Sequence, residues 1–584
     1  MTPDTAMKAP PVTRLSRRHF VLRIAGAAGS LGLISLLDAC APAAPAVPTA
    51  TLAPAPAAPK PTTAPAASPA VASASPAASP VAKPAASPAA STVASPSAAP
   101  AAAARPGIPG GSLRSTLGAE PTTLDPHKRT SLFDADVHCA LFIGLVSNVI
   151  TDTPTGALAE SWASPDAKSW TFKLRSGLTF HNGQPVTPEA VKFSMDRLIA
   201  PETGTSGALK ARAAQIASTT VVDPATVRVD LKAANAAFPV DAADLMVVPQ
   251  NFDATNPVGA GPFAFVEWVR NQRVRLKKFP GYYERGLPYL DELVFMPTPD
   301  EDQKIVLLQT GGVEFSDTVP LPRVKEVHTM PNVQVFSLAP GVSPSAYVML
   351  LNHARSPLGD TRVRQAMNYA IDRAALLDVT FGEGGVKSNL IPPKSWAFNP
   401  NAVSYNNRDV AKAKDLLQQA GFGGGFALQL KHFTSRAEYI PMAQLFQANM
   451  ADVGIKIDIQ SMQIAVWIEQ VLNNRDFDLG LTGVTPGPDP DPILTDEYDV
   501  TNGDNEAMQW KNDEVQQLLA QGRATVPQDQ RKKIYDRIQE IVQVESPAFV
   551  MNERPILLGA SSAVRGFTAD PRQYLHFESV WLQK

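Results

Sequence analysis

The 584-residue chain has only two cysteines, Cys40 and Cys139, so it cannot carry a disulfide framework. Acidic and basic residues nearly cancel, with a formal net charge of −3. No basic cluster appears after residue 107, which argues against nucleic acid as a partner. Beyond the N-terminal region, no apolar run approaches the roughly 18 residues that indicate a membrane-spanning helix. Composition therefore leaves a globular protein that acts on something other than nucleic acid.

Sequence motifs for catalysis and for cofactors are also missing. The chain has no GxxxxGK[ST] loop, no GxSxG and no HExxH, so we predict neither an enzyme nor a cofactor. A secreted hydrolase is the alternative. His181 lacks a second His or Cys at ligand spacing, which favours a structural role over metal binding. Cys139 lies in an apolar stretch and is predicted to be a buried core thiol, with a catalytic or metal role beside His138 as the alternative.

The first 40 residues have the layout of an export signal: basic residues, then an apolar stretch, then small residues. Ser16-Arg17-Arg18-His19-Phe20 resembles the twin-arginine motif, although the general secretory route is left open. Leu37-Asp38-Ala39-Cys40 resembles a lipobox, in which Cys40 becomes the lipidated first residue of the mature protein. A plain signal peptide with a chance cysteine is the alternative. We expect an extracytoplasmic protein that Cys40 anchors to the membrane.

Residues 41–108 consist almost entirely of Ala, Pro, Ser, Thr and Val. Such a stretch cannot bury enough apolar surface to offset the entropy of ordering, so we predict a disordered tether. The remaining residues, up to Lys584, are too many for one core, and two or three lobes are expected.

Helices and strands alternate along residues 109–584. Trp170–Arg175 alternates apolar and polar residues and predicts a strand, and a helix capped by Thr187 follows. Further helices begin after Asp360 and Asp409 or end at glycines, and strands follow them. Helices that lead into strands through short turns predict an α/β fold with mixed sheets. On the helix after Asp360, three arginines are expected on the surface: Arg362, Arg364 and Arg373.

Several segments, in their order along the chain, resemble the family 5 extracellular solute-binding proteins of ABC importers, which serve dipeptides, oligopeptides and nickel. Ser161–Leu198, SWASPDAKSWTFKLRSGLTFHNGQPVTPEAVKFSMDRL, is similar to the family signature. Gly259–Phe263 (GAGPF) and Val363–Arg373 (VRQAMNYAIDR) are similar to two later family segments. The resemblance covers essentially all of residues 109–584.

This resemblance implies a type II periplasmic-binding-protein fold in its large three-lobed version, with mixed sheets and a hinge between the lobes. The expected ranges are an export signal at 1–40, a tether at 41–108, lobe I at 109–147, 255–320 and 554–584, lobe II at 148–254, and lobe III at 321–553.

The implied function is capture of a small solute by lobe closure and its delivery to a membrane permease with its own ATPase. We expect a monomer. A sensory or chaperone-like surface lipoprotein on the same fold, without transport, is the alternative.

The solute itself is less clearly indicated. In peptide-binding members an acidic residue after the strand that corresponds to Phe477–Leu481 pairs with the ligand's ammonium group. The matching positions here are Pro486 and Gly487, which weakens the peptide reading, so an oligosaccharide or a metal chelate also stays open. The candidate ligand-binding residues are aromatic or acidic residues in loops: Trp396, Trp467, Asp489 and Asp491.

Overall fold

A computed structural model describes residues 107–147, 153–205, 207–337, 345–380, 382, 384–485, 487–501, 503–569 and 572–584. All of them belong to one unit, Ser87–Lys584. The predicted export signal, the lipobox with Cys40, the tether up to residue 106 and Pro486 lie outside the described residues. The structure is a mixed α/β fold, as predicted, and three larger sheets organise it.

A seven-stranded mixed sheet takes its strands from four separate parts of the chain. Ser112–Leu117 lies near its centre and pairs in parallel with Glu292–Pro297 and Phe315–Ser316. In spatial order the strands are Val333–Ser337, Leu557–Ser561, Phe315–Ser316, Ser112–Leu117, Glu292–Pro297, Arg273–Lys278 and Phe263–Val269. Val333–Ser337 therefore belongs to this sheet, although it falls inside the range 321–553 expected for lobe III.

The other two larger sheets are each built from a continuous part of the chain. The five-stranded mixed sheet has the order Ile455–Met462, Phe426–Phe433, Leu479–Val484, Ser345–Leu351 and Ala548–Arg554. The four-stranded antiparallel sheet has the order Ala159–Ala163, Ser169–Leu174, Thr226–Leu231 and Ile216–Asp223. Three strand pairs complete the set: Val146–Ser147 with Thr155–Gly156, Thr568–Ala569 with Leu575–His576, and Val564–Arg565 with Trp581–Leu582.

Helices cover these sheets. Those before the five-stranded sheet are Leu132–Leu141, Pro188–Ile199, Gly207–Ala214, Phe238–Asp241, Glu301–Thr310 and Val324–Val327, with 3-10 turns at Pro201–Thr203 and Leu321–Arg323. Those between its strands are Thr361–Ala370, Arg373–Thr380, Val410–Gln419, Tyr439–Ala451, Ile464–Trp467, Pro490–Tyr498, Gly503–Met508, Asp513–Ala524 and Gln528–Glu545, with a π-helical turn at Ile468–Asn473. Among the described helices, none has the length and apolar character needed to cross a bilayer.

The local sequence signals act where they were predicted. Along Ser169–Leu174 the residues Trp170, Phe172 and Leu174 are buried, while the residues between them are not. The side chain of Thr187 caps helix Pro188–Ile199, and Asp409 caps helix Val410–Gln419. The strand predicted at Phe477–Leu481 runs instead from Leu479 to Val484, because its hydrogen-bonded register is set by Ser345–Leu351 beside it.

The predicted positions of two arginines were wrong. Arg362 is exposed, but Arg364 and Arg373 are only 2% and 0% exposed. Arg373 donates from Nε to the Val550 carbonyl at 2.8 Å and from Nη1 to the Tyr405 carbonyl at 2.7 Å. These carbonyls replace water for the guanidinium group, which is why it can be buried without a carboxylate partner in those bonds. Burial lowers the pKa of Arg373 to about 9.

Each larger sheet has its own apolar core. Cys139 is buried in the core of the seven-stranded sheet, as predicted. The chain leaves the seven-stranded sheet after Ser112–Leu117, builds the four-stranded sheet, returns, builds the five-stranded sheet and returns again through Leu557–Ser561. Several chain segments therefore cross between the sheets, and the candidate site lies where they meet.

Candidate ligand-binding site

Two of the sheets meet through three polar side chains. Ser345 begins a strand of the five-stranded sheet, and Thr485 directly follows the neighbouring strand. Their hydroxyl oxygens lie 2.9 Å apart. Gln573, from the segment that follows the seven-stranded sheet, donates from Nε2 to Ser345 Oγ at 2.8 Å and contacts Thr485 Oγ1 at 3.3 Å. We call Ser345, Thr485 and Gln573 the junction.

Gly487 is two residues after Thr485 of the junction along the chain, and it leaves open space. A Cβ atom built on it would meet no atom within 4 Å. Its backbone is not in the left-handed region, so the position does not require glycine for its conformation. Because the position carries no side chain, the space at Gly487 is left unfilled.

The segment after Gly487 is fixed by a buried ion pair. Asp489 caps helix Pro490–Tyr498 by accepting from the Asp491 backbone N–H at 3.0 Å. Both carboxylate oxygens of Asp489 also accept from Arg531, at 2.7 Å each, and the two side chains are 5% and 6% exposed. A bidentate pair of this kind satisfies both charges inside the protein. Asp489 is thus already paired with a cation of the chain itself.

Asp491 lies in the same cluster. Its Oδ2 is 3.4 Å from Arg523 Nε, and the Tyr535 hydroxyl is 3.4 Å from its Oδ1. Burial raises the pKa of Asp491 to about 6, against the opposing effect of Arg523 and with a further increase from Asp489. Asp491 can therefore change its protonation state near neutral pH.

The two predicted tryptophans are in different places. Trp396 is partly exposed, its ring lies 5.4 Å from the Arg531 guanidinium carbon, and it meets Tyr535 edge-on at 6.0 Å. Trp467 is only 3% exposed, donates from Nε1 to the Lys431 carbonyl at 3.2 Å and packs on Phe433. The structure thus brings Trp396, Asp489 and Asp491 together around Arg531, and it places Trp467 in the core.

A second buried charge cluster ties the four-stranded and seven-stranded regions together. Asp244 is 2% exposed and pairs with Arg129 at 3.1 Å, Arg212 at 2.8 Å and Arg572 at 2.7 Å. Burial opposes its charge, but the three arginines lower the pKa of Asp244 well below its ordinary value. Because Arg572 precedes Gln573, this cluster also holds the junction segment in place.

The four-stranded region also touches the five-stranded region. The Ala236 backbone N–H donates to the Arg523 carbonyl at 2.8 Å. Val526, which follows helix Asp513–Ala524, packs against the apolar core of the four-stranded sheet. The Arg523 side chain is held by Asp491 and Asp499. Arg523 therefore links the acidic cluster to the neighbouring sheet.

A cavity with about 420 Å³ of empty space, part of it open to solvent, lies beside Arg572. Its wall combines apolar side chains with a few polar ones. The lining residues are Cys139, Phe142, Ile143, Gly144, Val146, Ser147, Ala243, Met246, Pro262, Tyr282, Arg572, His576 and Glu578.

The family-like motifs have structural roles in this arrangement. The His181 ring contacts the Gly259 N–H at 3.2 Å and the Gly261 carbonyl at 3.1 Å, so the His181 turn and the Gly259–Phe263 segment hold each other in place. In the described part of the chain, no three His, Cys, Asp or Glu side chains are grouped as a metal-ligand set.

Sequence reasoning missed Arg531 and Gln573. The burial of Arg531 could have been predicted, because it stands three residues before Ile534 and seven before Ile538, on the buried face of its helix. Gln573 had none, because its partners Ser345 and Thr485 are 228 and 88 residues away.

The comparisons with known proteins define the class. The model of the family "Bacterial extracellular solute-binding proteins, family 5 Middle" matches residues 153–505. The chain belongs to this family of solute-binding proteins of ABC importers, with a type II periplasmic-binding-protein fold.

Individual relatives are more distant. The glutathione-binding protein GsiB of Escherichia coli O157:H7 is 28% identical over 490 residues, which cover 80% of this chain and 94% of that protein. AgaA from A. tumefaciens R10, solved in complex with agropinic acid, is 28% identical with a TM-score of 0.63, covering 81% of this chain and 99% of AgaA. HbpA2 from Haemophilus parasuis is 24% identical with a TM-score of 0.74, covering 81% of this chain and 100% of HbpA2.

Proposed function

We propose that this chain is the substrate-binding lipoprotein of an ABC importer and captures a peptide or another small polar solute by lobe closure. The solute enters beside the junction, the lobes close over it, and the closed complex delivers it to a permease with its ATPase. The seven-stranded region forms lobe I, the four-stranded region lobe II and the five-stranded region lobe III. For the lobe boundaries we keep the ranges expected from the sequence, except that Val333–Ser337 is assigned to lobe I because it pairs within the seven-stranded sheet.

The observation that carries this proposal is the junction with the open space at Gly487. Ser345 and Thr485 lie at one edge of the five-stranded sheet, Gln573 lies in the segment after the seven-stranded sheet, and the three contact one another through only a few hydrogen bonds. Such bonds exchange readily with a polar ligand or with water, because each contributes only about 1 kcal/mol net. The surrounding elements are fixed by the buried pairs of Asp489 and Asp244. A weak contact between well-fixed lobes suits a closing site.

The solute we favour is a small peptide-like molecule with carboxylate groups. GsiB binds glutathione and AgaA was solved with agropinic acid, and both proteins resemble this chain over most of its length. No acidic side chain stands at Gly487 to pair with a ligand ammonium, so neutral donors and acceptors of the junction would carry recognition. We assign contact with the solute to Trp396, which is the partly exposed residue among the predicted ligand residues; Asp489 and Asp491 lie in the buried cluster of Arg531 and Arg523, and Trp467 packs in the core.

The N-terminal part of the proposal concerns location. Lipidation of Cys40 and a flexible tether would keep the receptor near its permease and raise its local concentration there. Labelling cells with a fatty-acid analogue tests this: the wild-type protein should carry the label in the membrane fraction, and Cys40→Ser should lose it and be released. Label on the Cys40→Ser protein would contradict the assignment.

Solute binding is tested on the purified receptor by calorimetry and thermal unfolding with glutathione, glutathione disulfide, di- and tripeptides, opines, oligosaccharides and nickel chelates. A ligand that binds only the native state must raise Tm. Gln573→Ala should weaken the binding solute at least about tenfold, the loss of one or two polar contacts in a closed site. Glu506→Gln, an exposed position away from the junction, is the matched control. Absence of any stabilising solute, or equal affinity in Gln573→Ala, would contradict the proposal.

A further inference from the structure

One face of the five-stranded sheet carries buried polar groups that have no hydrogen-bond partner. Asn552 and Arg554 are two residues apart on the strand Ala548–Arg554, so their side chains lie on the same face. Asn552 is 0% exposed, and neither its amide oxygen nor its amide nitrogen has a partner. The Nε atom of Arg554 is also buried without one. Unsatisfied buried polar atoms are rare in native proteins, and each needs an explanation.

A tyrosine from a neighbouring helix reaches the same face. Tyr347 lies directly opposite Asn552 on one side and Gly483 on the other, so these three positions form a row across the sheet. The hydroxyl oxygen of Tyr439 is 3.3 Å from the position that a Cβ atom on Gly483 would take, and the two tyrosine rings meet edge-on at 5.8 Å. The Tyr439 hydroxyl group is buried and has no hydrogen-bond partner either. Asn552, Arg554 and Tyr439 therefore bring their unsatisfied atoms to one face of the sheet.

This face continues into the junction and is accessible there. Ser345 of the junction lies directly opposite Arg554. Gly483, on the neighbouring strand, and Thr485, directly after that strand, are both exposed. The sheet surface between Tyr439 and the junction can therefore be reached from solvent, and a solute held at the junction can extend along it.

The charged side chains near this face leave Arg554 without a carboxylate partner. Glu438 accepts a hydrogen bond from the Tyr347 hydroxyl at 3.2 Å, and a guanidinium nitrogen of Arg436 lies 3.7 Å from the same carboxylate oxygen. Glu553, next to Arg554 in the chain, alternates to the other face of the strand. Among the described residues, none forms an ion pair with Arg554. Charges inside proteins are usually paired, so an anion from outside the chain would complete this face.

We propose that Asn552, Arg554 and Tyr439 bind a carboxylate group of the solute. The guanidinium group, the amide nitrogen and the hydroxyl group are all hydrogen-bond donors, and a carboxylate accepts several hydrogen bonds at once. Hydrogen bonds between charged partners are roughly twice as strong as neutral ones. This face therefore supplies the charged contact that the neutral side chains of the junction cannot make.

The second atom of the Asn552 amide narrows the class of ligand. While its nitrogen donates to the carboxylate, its oxygen remains as an acceptor for an N–H of the same solute. The ligand is thus an acid whose carboxylate stands close to an amide N–H, as in peptides and N-acyl amino acids. This assignment rests on the proposed function and concerns the charged end of its solute.

The test compares acids with their esters on the purified receptor at pH 7.5, by calorimetry and thermal unfolding. The probes are glutathione and its diethyl ester, glycylglycine and its ethyl ester, and maltose as an uncharged solute. At least one of the acids should bind and raise Tm, since a ligand of the native state stabilises it. Its ester should bind at least about tenfold more weakly, because a hydrogen bond to a charged group contributes at least that factor.

Two variants and a control locate the effect. Arg554→Gln should weaken binding of the acid at least about tenfold and leave the affinity for the ester unchanged, because the ester group carries no charge. Tyr439→Phe removes only an oxygen that has no partner, so it should fold as the wild type does and weaken binding of the acid about fivefold. Arg537→Gln, at an exposed position paired with Glu514 at 2.8 Å, is the matched control and should bind both probes as the wild type does.

Three results would overturn this proposal and leave the proposed function intact. They are equal affinity of the wild type for acid and ester, binding of maltose alone, and unchanged binding of the acid to Arg554→Gln, or to Tyr439→Phe where Arg554→Gln does not fold. If no probe of any kind binds or raises Tm, the proposed function itself fails, and this proposal fails with it.

Discussion

The buried acids at the two ends of helix Pro490–Tyr498 differ in how their charges are compensated. At the first end, Asp489 is buried and both of its oxygens accept hydrogen bonds from Arg531. At the other end, Glu497 is 1% exposed and has only acidic groups close enough to act on its charge. Burial is similar, so the difference lies in the partners. Asp489, a candidate ligand residue in the sequence, is paired with a cation inside the protein. Glu497, which no sequence pattern singles out, has no hydrogen-bond partner for its carboxylate oxygens.

The largest change in the free energy of unfolding is expected when the Asp489–Arg531 pair is broken. Asp489→Ala leaves the Arg531 guanidinium buried without its partner, which costs about 3–5 kcal/mol, and it also removes a helix cap. Urea unfolding of the purified protein measures this. Asp513→Ala is the control, because Asp513 pairs with Lys511 at an exposed position and should change stability by less than about 1 kcal/mol. A loss below about 1 kcal/mol for Asp489→Ala would show that the pair contributes little.

The next largest effect is a pH dependence of stability that Asp491 causes at the same end of the helix. Burial raises the pKa of Asp491 to about 6 in the folded protein, above its value in the unfolded chain. Its contribution to stability is therefore fully present near pH 4 and is lost as the pH rises through 6. Asp491→Asn removes this titration, so the wild-type stability should fall relative to the variant by roughly 1–3 kcal/mol between pH 4 and pH 7. Unfolding curves at both pH values test it, and a constant difference would contradict it.

A smaller change in stability, of opposite sign, is expected from replacing Glu497 at the other end of the helix. At pH 7.5, Glu497→Gln should stabilise the protein by about 1–2 kcal/mol, since a buried amide costs less than an uncompensated carboxylate. Glu506→Gln in the same buffer provides the baseline. A destabilised Glu497→Gln protein would mean that the carboxylate has favourable contacts and that the two ends of the helix do not differ.

The smallest effect is expected at Trp396. Its ring lies 5.4 Å from the Arg531 guanidinium carbon, a distance typical of a cation–π contact worth about 0.5–1 kcal/mol at a partly exposed site. Trp396→Leu should cost about that amount, and less still when Asp489→Ala has already disturbed Arg531. Urea unfolding of the single and double variants measures this coupling. Additive losses would show that Trp396 and the Asp489–Arg531 pair are independent.

Much of the fold could be predicted from local sequence. The alternation at Trp170–Leu174 and the caps at Thr187 and Asp409 depend only on neighbouring residues, and the structure confirms them. The strand after Phe477 was displaced because its limits depend on the strand Ser345–Leu351 beside it. Arg364 and Arg373 were placed wrongly because their carbonyl partners come from distant segments, which the helical pattern does not reveal.

The candidate site was predictable only in part. The sequence pointed to Trp396, Asp489 and Asp491, and the structure does bring these three together, but around Arg531. Trp467 shares their residue type and is a core residue. Residue type predicts which side chains can bind a ligand. Whether a given one is free to do so depends on which charges fold against it.

Motifs and periodicity within short segments are enough to specify the family, the α/β class and the order of most helices and strands. Which buried charges are compensated depends on how distant segments pack. Asp489 and Arg531 are 42 residues apart, and Ser345 and Gln573 are 228 apart. Buried charges and polar groups must find partners wherever the chain supplies them, and that pairing is fixed only when distant segments pack together.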